Sequence, residues 1–426
     1  MVNKKIINID KEVELLRFKE YQDTPIVKDL ISLSTDGIKN GMTNRPGRNE
    51  LDVKFINVVN LYDEDYIKTD LLEYVDISES VFNKYKVLKG DIFFTRSSLK
   101  LEGIAHCNIN IDSDSKLVFD DHIMRVRPNI NLVNPYFLKL YCLSRVARKF
   151  FMSRAKTGTM TTIGQNDIAD LPVRIPTMEE QNKISSFFSF LEKRIKKQEE
   201  KIEQVKLFKK GMMQKIFLQK LRFKNENGEL FPKWRHKPLK SIGTTYTGLS
   251  GKSSKDFGVG SGLYITYKNV YANVKAKTTG IEKVDLSDGK KQNQVLKGDI
   301  LFTTSSEVPN EVGMASYWGA EEQNIYLNSF CFGYRLNDES VLPEFLVYLL
   351  RSAEYRRKIT LLAQGSTRFN LSKTELLKMN IEIPSVGEQQ KIIILLSGID
   401  KKLEKEEEKL SLLLKQKKGF MQQMFN

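Results

Sequence analysis

The chain has 426 residues, 40% hydrophobic and 28% charged, which suffices for two ordinary domains with cores plus a connector. A formal net charge of +15 points toward a polyanionic partner; no apolar run approaches membrane-span length and MVNKKIINID has no apolar signal core, so a cytoplasmic protein without membrane contact is expected. Cys107, Cys142 and Cys331, with His106, His122 and His236, are scattered without ligand spacing, which excludes a disulfide framework and a zinc site.

After an N-terminal segment over residues 1–15, Leu16-Arg17-Phe18-Lys19 opens a stretch that is rich in strand signals early and helical late. In Lys89-Gly90-Asp91 a Gly-Asp turn feeds the apolar run Ile92-Phe93-Phe94, which reads as a buried strand ending in a Ser/Thr loop. Pro135 suits the first turn of an amphipathic helix that ends near Arg154. A loop over 157–162 and a short strand through Pro176 then lead into a long helix, with Thr177 as N-cap and Glu180 three residues on. Along it Ile184, Phe188, Leu191, Ile195, Ile202, Val205, Met212 and Ile216 fall at alternating steps of four and three, with Gln198 and Lys209 as polar interruptions. That spacing is a coiled-coil seam.

The same order then returns. Leu221-Arg222-Phe223-Lys224 repeats the opening, and LKGDILFTTSS from Leu296 to Ser306 repeats LKGDIFFTRSS from Leu88 to Ser98. Pro343 answers Pro135, and Glu382-Ile383-Pro384 answers Arg174-Ile175-Pro176. Ser385 and Glu388 mark the second long helix, whose seam is Ile392, Leu396, Ile399, Leu403, Leu410, Leu413, Phe420 and Met424, interrupted by Glu406 and Lys417. Each seam residue lies 208 positions after its counterpart, as Ile392 does after Ile184 and Met424 after Ile216. Between these anchors the copies have drifted, most of all between 36–51 and 244–262. A shared scaffold thus carries two different surfaces. The spacing predicts an α+β fold: two pseudo-repeated mixed α/β domains, residues 16–176 and 221–384, separated by two long antiparallel coiled-coil helices, 177–220 and 385–426.

The positive charge crowds the first helix, with Lys193, Arg194, Lys196, Lys197, Lys201, Lys206, Lys209, Lys210 and Lys215. Such a face suits a polyanion or simply keeps a long helix solvated, and the acidic run Glu404 to Glu408 favours the second reading on the other helix. Three lookalikes are set aside. Gly251-Lys252-Ser253 resembles the end of a phosphate loop, but Tyr246 stands where the earlier glycine is required. Asn134-Pro135-Tyr136-Phe137 resembles the Asn-Pro-Pro-aromatic clamp of adenine methyltransferases, yet it lacks one proline and the second copy has Leu342 for the asparagine, which reads as a helix start. The carboxylates around Glu102 and from Asp112 to Asp121 have no nuclease-like spacing with a lysine, and Asn328 and Ser329 replace Asp120 and Asp121 in the second copy.

The LRF opening of each half, GDI followed by an aromatic and a Ser/Thr loop, the Ile-Pro and Glu-Gln-x-Lys-Ile steps and the Lys-Lys-Gly-x-Met-Gln helix end resemble those of the specificity subunit of a type I restriction-modification enzyme. The match covers nearly the whole chain. The resemblance implies a DNA-binding subunit without catalysis of its own, whose two target-recognition domains each read one half of a split double-stranded DNA site. It also implies that two methyltransferase subunits dock on the helical framework and that restriction and motor subunits join through the complex. No cofactor is expected on this chain; S-adenosylmethionine, ATP and Mg belong to the partner subunits.

DNA-binding residues are expected at the Ser/Thr loops: Arg96, Ser97, Ser98, Lys156, Thr159 and Thr161 in the first domain, and Lys268, Asn269, Ser305, Ser306, Arg368 and Asn370 in the second. Arg and Asn offer bidentate pairing to base edges, whereas Ser, Thr and Lys mostly anchor phosphate. Measured from its glycine, the loop GTMTTI is one residue shorter than GSTRFNL. No catalytic or metal-ligating set is expected. Two other functions stay open: a self-sufficient DNA adenine methyltransferase, and a coiled-coil dimeric DNA-binding regulator.

Overall fold

The computed structural model describes residues 16–21, 23–43, 51–63 and 65–425. The expected N-terminal segment 1–15 and part of the divergent stretch 36–51 lie outside them. The chain divides into two compact units, one of residues 1–199 with 408–426 and one of residues 200–407. Both mix helices and sheets.

In the first unit a four-stranded antiparallel sheet has the order Ser34–Asn40, Ile123–Pro128, Ile92–Thr95, Cys107–Ile109. A three-stranded sheet runs Glu73–Ile77, Leu51–Ile56, Leu117–Phe119, with the last pair parallel. Ile26–Asp29 pairs with Pro172–Ile175, and the small ribbon Ser97–Ser98 pairs with Thr161–Thr162. The core gathers Ile92, Phe94 and Val126 of the larger sheet with Phe137, Leu138 and Phe151 of the helices Pro135–Leu143 and Arg145–Arg154, with Ile184 and Phe188 of the first long helix, and with Phe425 just past the end of the second.

The second unit repeats this topology strand for strand. Its four-stranded sheet is Gly243–Thr247, Cys331–Leu336, Ile300–Thr303, Ala315–Tyr317, and its three-stranded sheet is Ile281–Val284, Phe257–Ile265, Ile325–Leu327, again with the last pair parallel. Arg235–Pro238 pairs with Asn380–Ile383, and Ser305–Ser306 pairs with Phe369–Leu371. Its core joins Ile300, Phe302 and Phe332 to Phe345, Leu346, Ile359, Ile392 and Leu396.

The repeated motifs are repeated because each solves the same packing problem. Gly90 and Gly298 take φ of 91° and 90°, a conformation that a side chain resists. The following Asp91 and Asp299 are buried; each carboxylate accepts the backbone N–H of Leu88 or Leu296 at 2.8 Å and a fork from Arg127 or Arg335 at 2.7–2.8 Å. A buried carboxylate needs this compensation. Glu180 and Glu388 play the same part for the LRF openings, since Arg17 and Arg222 reach them as bidentate partners. Gln181 and Gln389 accept the N–H of Asn134 and of Leu342, each at 2.8 Å, and so tie the long helix to the residue before each proline-started helix.

The long helices span Met178–Phe217 and Val386–Met424. The expected N-cap forms only at the first: Glu180 N–H points to Thr177 Oγ1 at 3.4 Å, whereas the Ser385 hydroxyl is buried with no hydrogen-bond partner among the described residues. Neither glutamate turns back toward its cap residue: Glu180 is held by Arg17, and Glu388 by Arg222 and Trp234. Three of the four polar interruptions meet an opposite charge on the other helix. Lys417 bonds Glu192 at 2.7 Å in the first unit, and in the second Lys201 bonds Glu406 at 2.9 Å and Lys209 bonds Asp400 at 2.5 Å. In the first unit Leu191 and Ile195 pack with Leu413, Leu410 and Phe420. No helix among the described residues is long and apolar enough to cross a membrane.

Candidate nucleic-acid interface

The ribbon in each unit is where the expected site residues meet. In the first, Thr161 lies opposite Ser98 and Thr162 opposite Ser97, while Lys156 pairs with Thr162 through both backbone bonds at 2.8 and 2.9 Å. Ile163 N–H to Arg96 O at 3.1 Å fixes Arg96 beside them, and Thr159 sits at the exposed tip. In the second, Ser305 lies opposite Asn370 and Ser306 opposite Phe369, with Arg368 in the adjoining loop. Tyr267 donates its hydroxyl to Ser305 O at 2.8 Å, which brings the exposed Lys268 of the helix Tyr267–Ala272 to the same neighbourhood.

The two hairpin loops are equally long, which corrects the count made from their glycines. Lys156 pairs with Thr162 and Gln364 with Asn370, so each closes over the same span. What differs is the glycine, at 158 in one and at 365, one step earlier, in the other. Gly365 has φ of 134°, and a Cβ there would lie 2.1 Å from Arg368 O. This close approach shapes the loop that carries Arg368.

Burial separates displayed residues from framework. Arg96, Lys156, Thr159, Lys268, Arg368 and Asn370 are exposed. Asn269 is 4% exposed; its amide donates to Lys277 O and Gly280 O at 2.7 and 3.0 Å, and its oxygen accepts Lys277 N–H at 2.8 Å, so the fold already uses both ends of this side chain. Thr161 and Ser305, at 6% and 5%, are also framework. Ser98 and Ser306 are half-buried and spend their hydroxyls on the following turn, accepting the N–H of Lys100 at 3.2 Å and of Val308 at 3.1 Å. The sequence marks them as loop hydroxyls but does not reveal that their neighbours already satisfy them.

Beneath the ribbons the units are built differently. In the first, His106 bonds Thr95 through backbone and hydroxyl and stacks on Tyr62 with ring centroids 4.6 Å apart. Burial, helped by the Arg148 charge, pushes its imidazole down to about 4, so it stays neutral near pH 7. Arg148 and Arg356 support the loops after Ser98 and Ser306 by donating to Glu102 O at 2.9 Å, and to Asn310 O and Val312 O at 2.9 and 2.6 Å. Burial lowers both guanidinium pKa values, that of Arg356 to about 10, and both remain charged.

Two residues that motif reading missed stand beside the ribbons. Arg96 N–H donates to His122 O at 2.9 Å, and Thr304 N–H donates to Phe330 O at 2.9 Å. His122 and Phe330 are equivalent by the 208-residue offset and both are exposed. That shared offset is the signal that could have found them.

Of the basic residues on the first long helix, Lys201, Lys206 and Lys209 are neutralised by Glu406, by Glu203 and Glu407, and by Asp400. Lys193, Arg194, Lys196, Lys197, Lys210 and Lys215 make no ion pair among the described residues and carry the remaining charge. The lookalikes resolve as framework. Asn134 Oδ1 accepts the N–H of Tyr136 and Phe137 at the helix start and the Ser185 hydroxyl, while Nδ2 donates to Asn182. Lys252 is paired with Asp288 at 2.8 Å.

A specificity subunit named for the type I restriction enzyme MjaX of Methanocaldococcus jannaschii is 25% identical over 421 residues, which cover 96% of this chain and 94% of that protein. The EcoKI specificity subunit of Escherichia coli is 22% identical over 204 residues, 46% of this chain and 42% of that one. Among solved structures, the type I restriction-modification S subunit from M. genitalium aligns with a TM-score of 0.54 at 14% identity, covering 97% of this chain and 98% of that one. A chain from a study of assembly and conformational transition of the type I system aligns with a TM-score of 0.59 at 14% identity, over 96% and 99%. The family described as type I restriction modification DNA specificity domain matches residues 27–207 and again 233–414, one match for each repeat of strands, ribbon and helix, and the chain belongs to that family.

Proposed function

We propose that this chain is the sequence-reading subunit of a type I restriction-modification complex, in which each recognition domain, 16–176 and 221–384, reads one half of an asymmetric two-part DNA site. The observation that carries this reading is one backbone frame used twice with unlike residues displayed from the same place. Two unlike surfaces on a repeated frame suit two unlike half-sites, because divergence removes the identity of half-sites that two like domains would read. Arg96, Arg368 and Asn370 are the candidates for base edges, and Lys156, Lys268 and Thr159 for phosphate.

In this reading the helices 177–220 and 385–426 form an antiparallel coiled coil within one chain, set the spacing of the half-sites and offer the docking surface for two methyltransferase subunits. The ion pairs of Lys417 with Glu192 and of Lys209 with Asp400 support it, because partner numbers fall on one helix as they rise on the other. Recognition without catalysis is favoured over a self-sufficient methyltransferase by Asn134, whose Oδ1 caps a helix and accepts the Ser185 hydroxyl while Nδ2 donates to Asn182. The chemistry, with S-adenosylmethionine, ATP and Mg, then belongs to partner subunits in the cytoplasm.

The test is a change of ruler. Four residues added to each helix, after Glu203 and after Glu404, fall between the Lys201–Glu406 and Lys209–Asp400 pairs and leave both intact. They lengthen the rod by about 6 Å and turn it by about 40°. One base pair adds about 3.4 Å and roughly 35°. Methylation measured on duplexes that differ only in spacer length, with the methyltransferase present, is expected to peak at a spacer one to two base pairs longer. An unchanged optimum overturns the ruler and leaves the helices as a docking surface alone.

A further inference from the structure

Beside each recognition ribbon lies a turn that no sequence motif marks. In the first unit it is Asp120-Asp121-His122, before the strand Ile123–Pro128; in the second it is Asn328-Ser329-Phe330, before Cys331–Leu336. Its support is alike in both. A Cβ on Gly41 would lie 2.2 Å from the carbonyl oxygens of Phe119 and Asp120, and one on Gly248 would lie 2.2 Å from Asn328 O. Only glycine lets the neighbouring strand approach so closely. From that side Met42 N–H donates to Phe119 O at 2.9 Å, and Leu249 N–H donates to Leu327 O at 2.8 Å. On the other side the ribbon bonds the carbonyls of His122 and Phe330. Each turn is held by backbone on two sides.

The chemistry displayed from this common support is unrelated. Phe330 is 50% exposed, and the Arg368 guanidinium lies over its ring, 5.1 Å from the centroid. His122 has a side chain 64% exposed, with Nδ1 at 2.8 Å from Asp120 and 3.0 Å from Asp121. An aromatic ring left half in water, used by no core and capped by an arginine, fits a contact surface better than a fold requirement. Two carboxylates in the other copy would repel phosphate, which leaves base edges as the part of DNA that turn could approach.

We infer that the two turns are specificity elements, one for each half-site. This rests on the proposed two-part recognition. Phe330 offers an apolar contact for a thymine methyl while it orients Arg368 for bidentate bonding to a neighbouring guanine; in the first unit Asp120 Oδ1 accepts His122 N–H at 2.7 Å and Asp121 Oδ2 accepts the Thr43 hydroxyl at 3.0 Å, so the pair holds the exposed His122 ring, the group displayed toward the other half-site.

The experiment expresses the full chain with its methyltransferase partner and reads the methylated adenine motif across a genome. Phe330→Ala is expected to lower discrimination about tenfold at one position of a single half-site, leaving the other half-site unchanged. His122→Ala, with its neighbours intact, is expected to relax the other half-site. Arg368→Lys keeps the charge and loses the fork, so it relaxes the base pair next to that of Phe330. Should Phe330→Ala abolish methylation, Phe330→Leu decides: relaxation confined to one half-site supports the inference, and an unchanged motif overturns it. Motifs identical to wild type in the Phe330 and His122 variants, or both half-sites relaxing together, also overturn it. A wild-type chain that leaves no two-part motif defeats the parent reading itself, which separates that failure from this one.

Discussion

The first and second units share every strand pairing that builds their sheets, yet they secure the same frame with different side chains. Asp91 is bonded by Arg127, whereas its counterpart Asp299 is bonded by Arg335 and by the Tyr246 hydroxyl at 2.7 Å. Glu180 meets Arg17, whereas Glu388 meets Arg222 and also Trp234 Nε1 at 3.1 Å. Lys277, just before the turn Thr278–Gly280, bonds Glu404 at 2.7 Å in the second unit, whereas in the first Lys68 stands before the matching turn Thr69–Leu71 and Lys196 takes the place of Glu404. What persists are the positions where backbone geometry or a buried charge allows one solution. The accessory donors around them have drifted.

The strongest test of independence between the units is an exchange. The strands Ile26–Asp29 and Pro172–Ile175 pair with each other, so both should stay with the host. Replacing residues 34–170 with the matching segment of a related chain is expected to switch one half of the methylated site entirely and leave the other as it was. If both halves change, the units do not read separately.

A second comparison concerns the buried glutamates. Glu388→Ala strands a partly buried guanidinium and removes the Trp234 partner, with an expected loss of about 3–5 kcal/mol. Glu180→Ala should cost less, because Arg17 is more exposed than Arg222 and no tryptophan is involved. Trp234 and Trp318 are the chain's two tryptophans and both belong to the second unit, so fluorescence in a urea titration reports that unit. Its transition should move in Glu388→Ala and hold in Glu180→Ala. Equal shifts would mean that the two units unfold together.

The smallest expected difference is one of acid sensitivity. As pH falls through about 6.5 the unfolded chain protonates His106, while the folded first unit resists until about 4. Between those values the unfolded state binds more protons, so stability is complete above about 6.5 and declines toward 4, by on the order of 2–3 kcal/mol. The second unit has Met314 at this place, a side chain that does not titrate. The protection factors of amides in the strands Ile92–Thr95 and Cys107–Ile109, each referred to the intrinsic exchange rate at its pH, should therefore fall between pH 6.5 and 4, and His106→Met should flatten that slope. Unchanged pH dependence in the variant would assign the acid sensitivity elsewhere.

By itself the sequence determined the period, the order of elements and the long helices, because these rest on local signals: glycine before a turn, proline at a helix start, apolar residues at steps of three and four. It also marked Arg96, Lys156, Thr159, Arg368 and Asn370, which the fold gathers on two ribbons. Tertiary structure decided what a residue type cannot reveal, namely whether its polar atoms are already satisfied. Asn269 and Asn370 read alike in the sequence, but one amide is buried and bonded by Lys277 and Gly280 while the other is exposed and makes only a long bond to Arg368 O at 3.5 Å. Lys201 and Lys197 read alike on one helix, and only Lys201 meets a glutamate on the other. His122 and Phe330 carry no motif; their place beside the ribbons comes from hydrogen bonds between segments 26 residues apart, a separation over which local propensity holds no information.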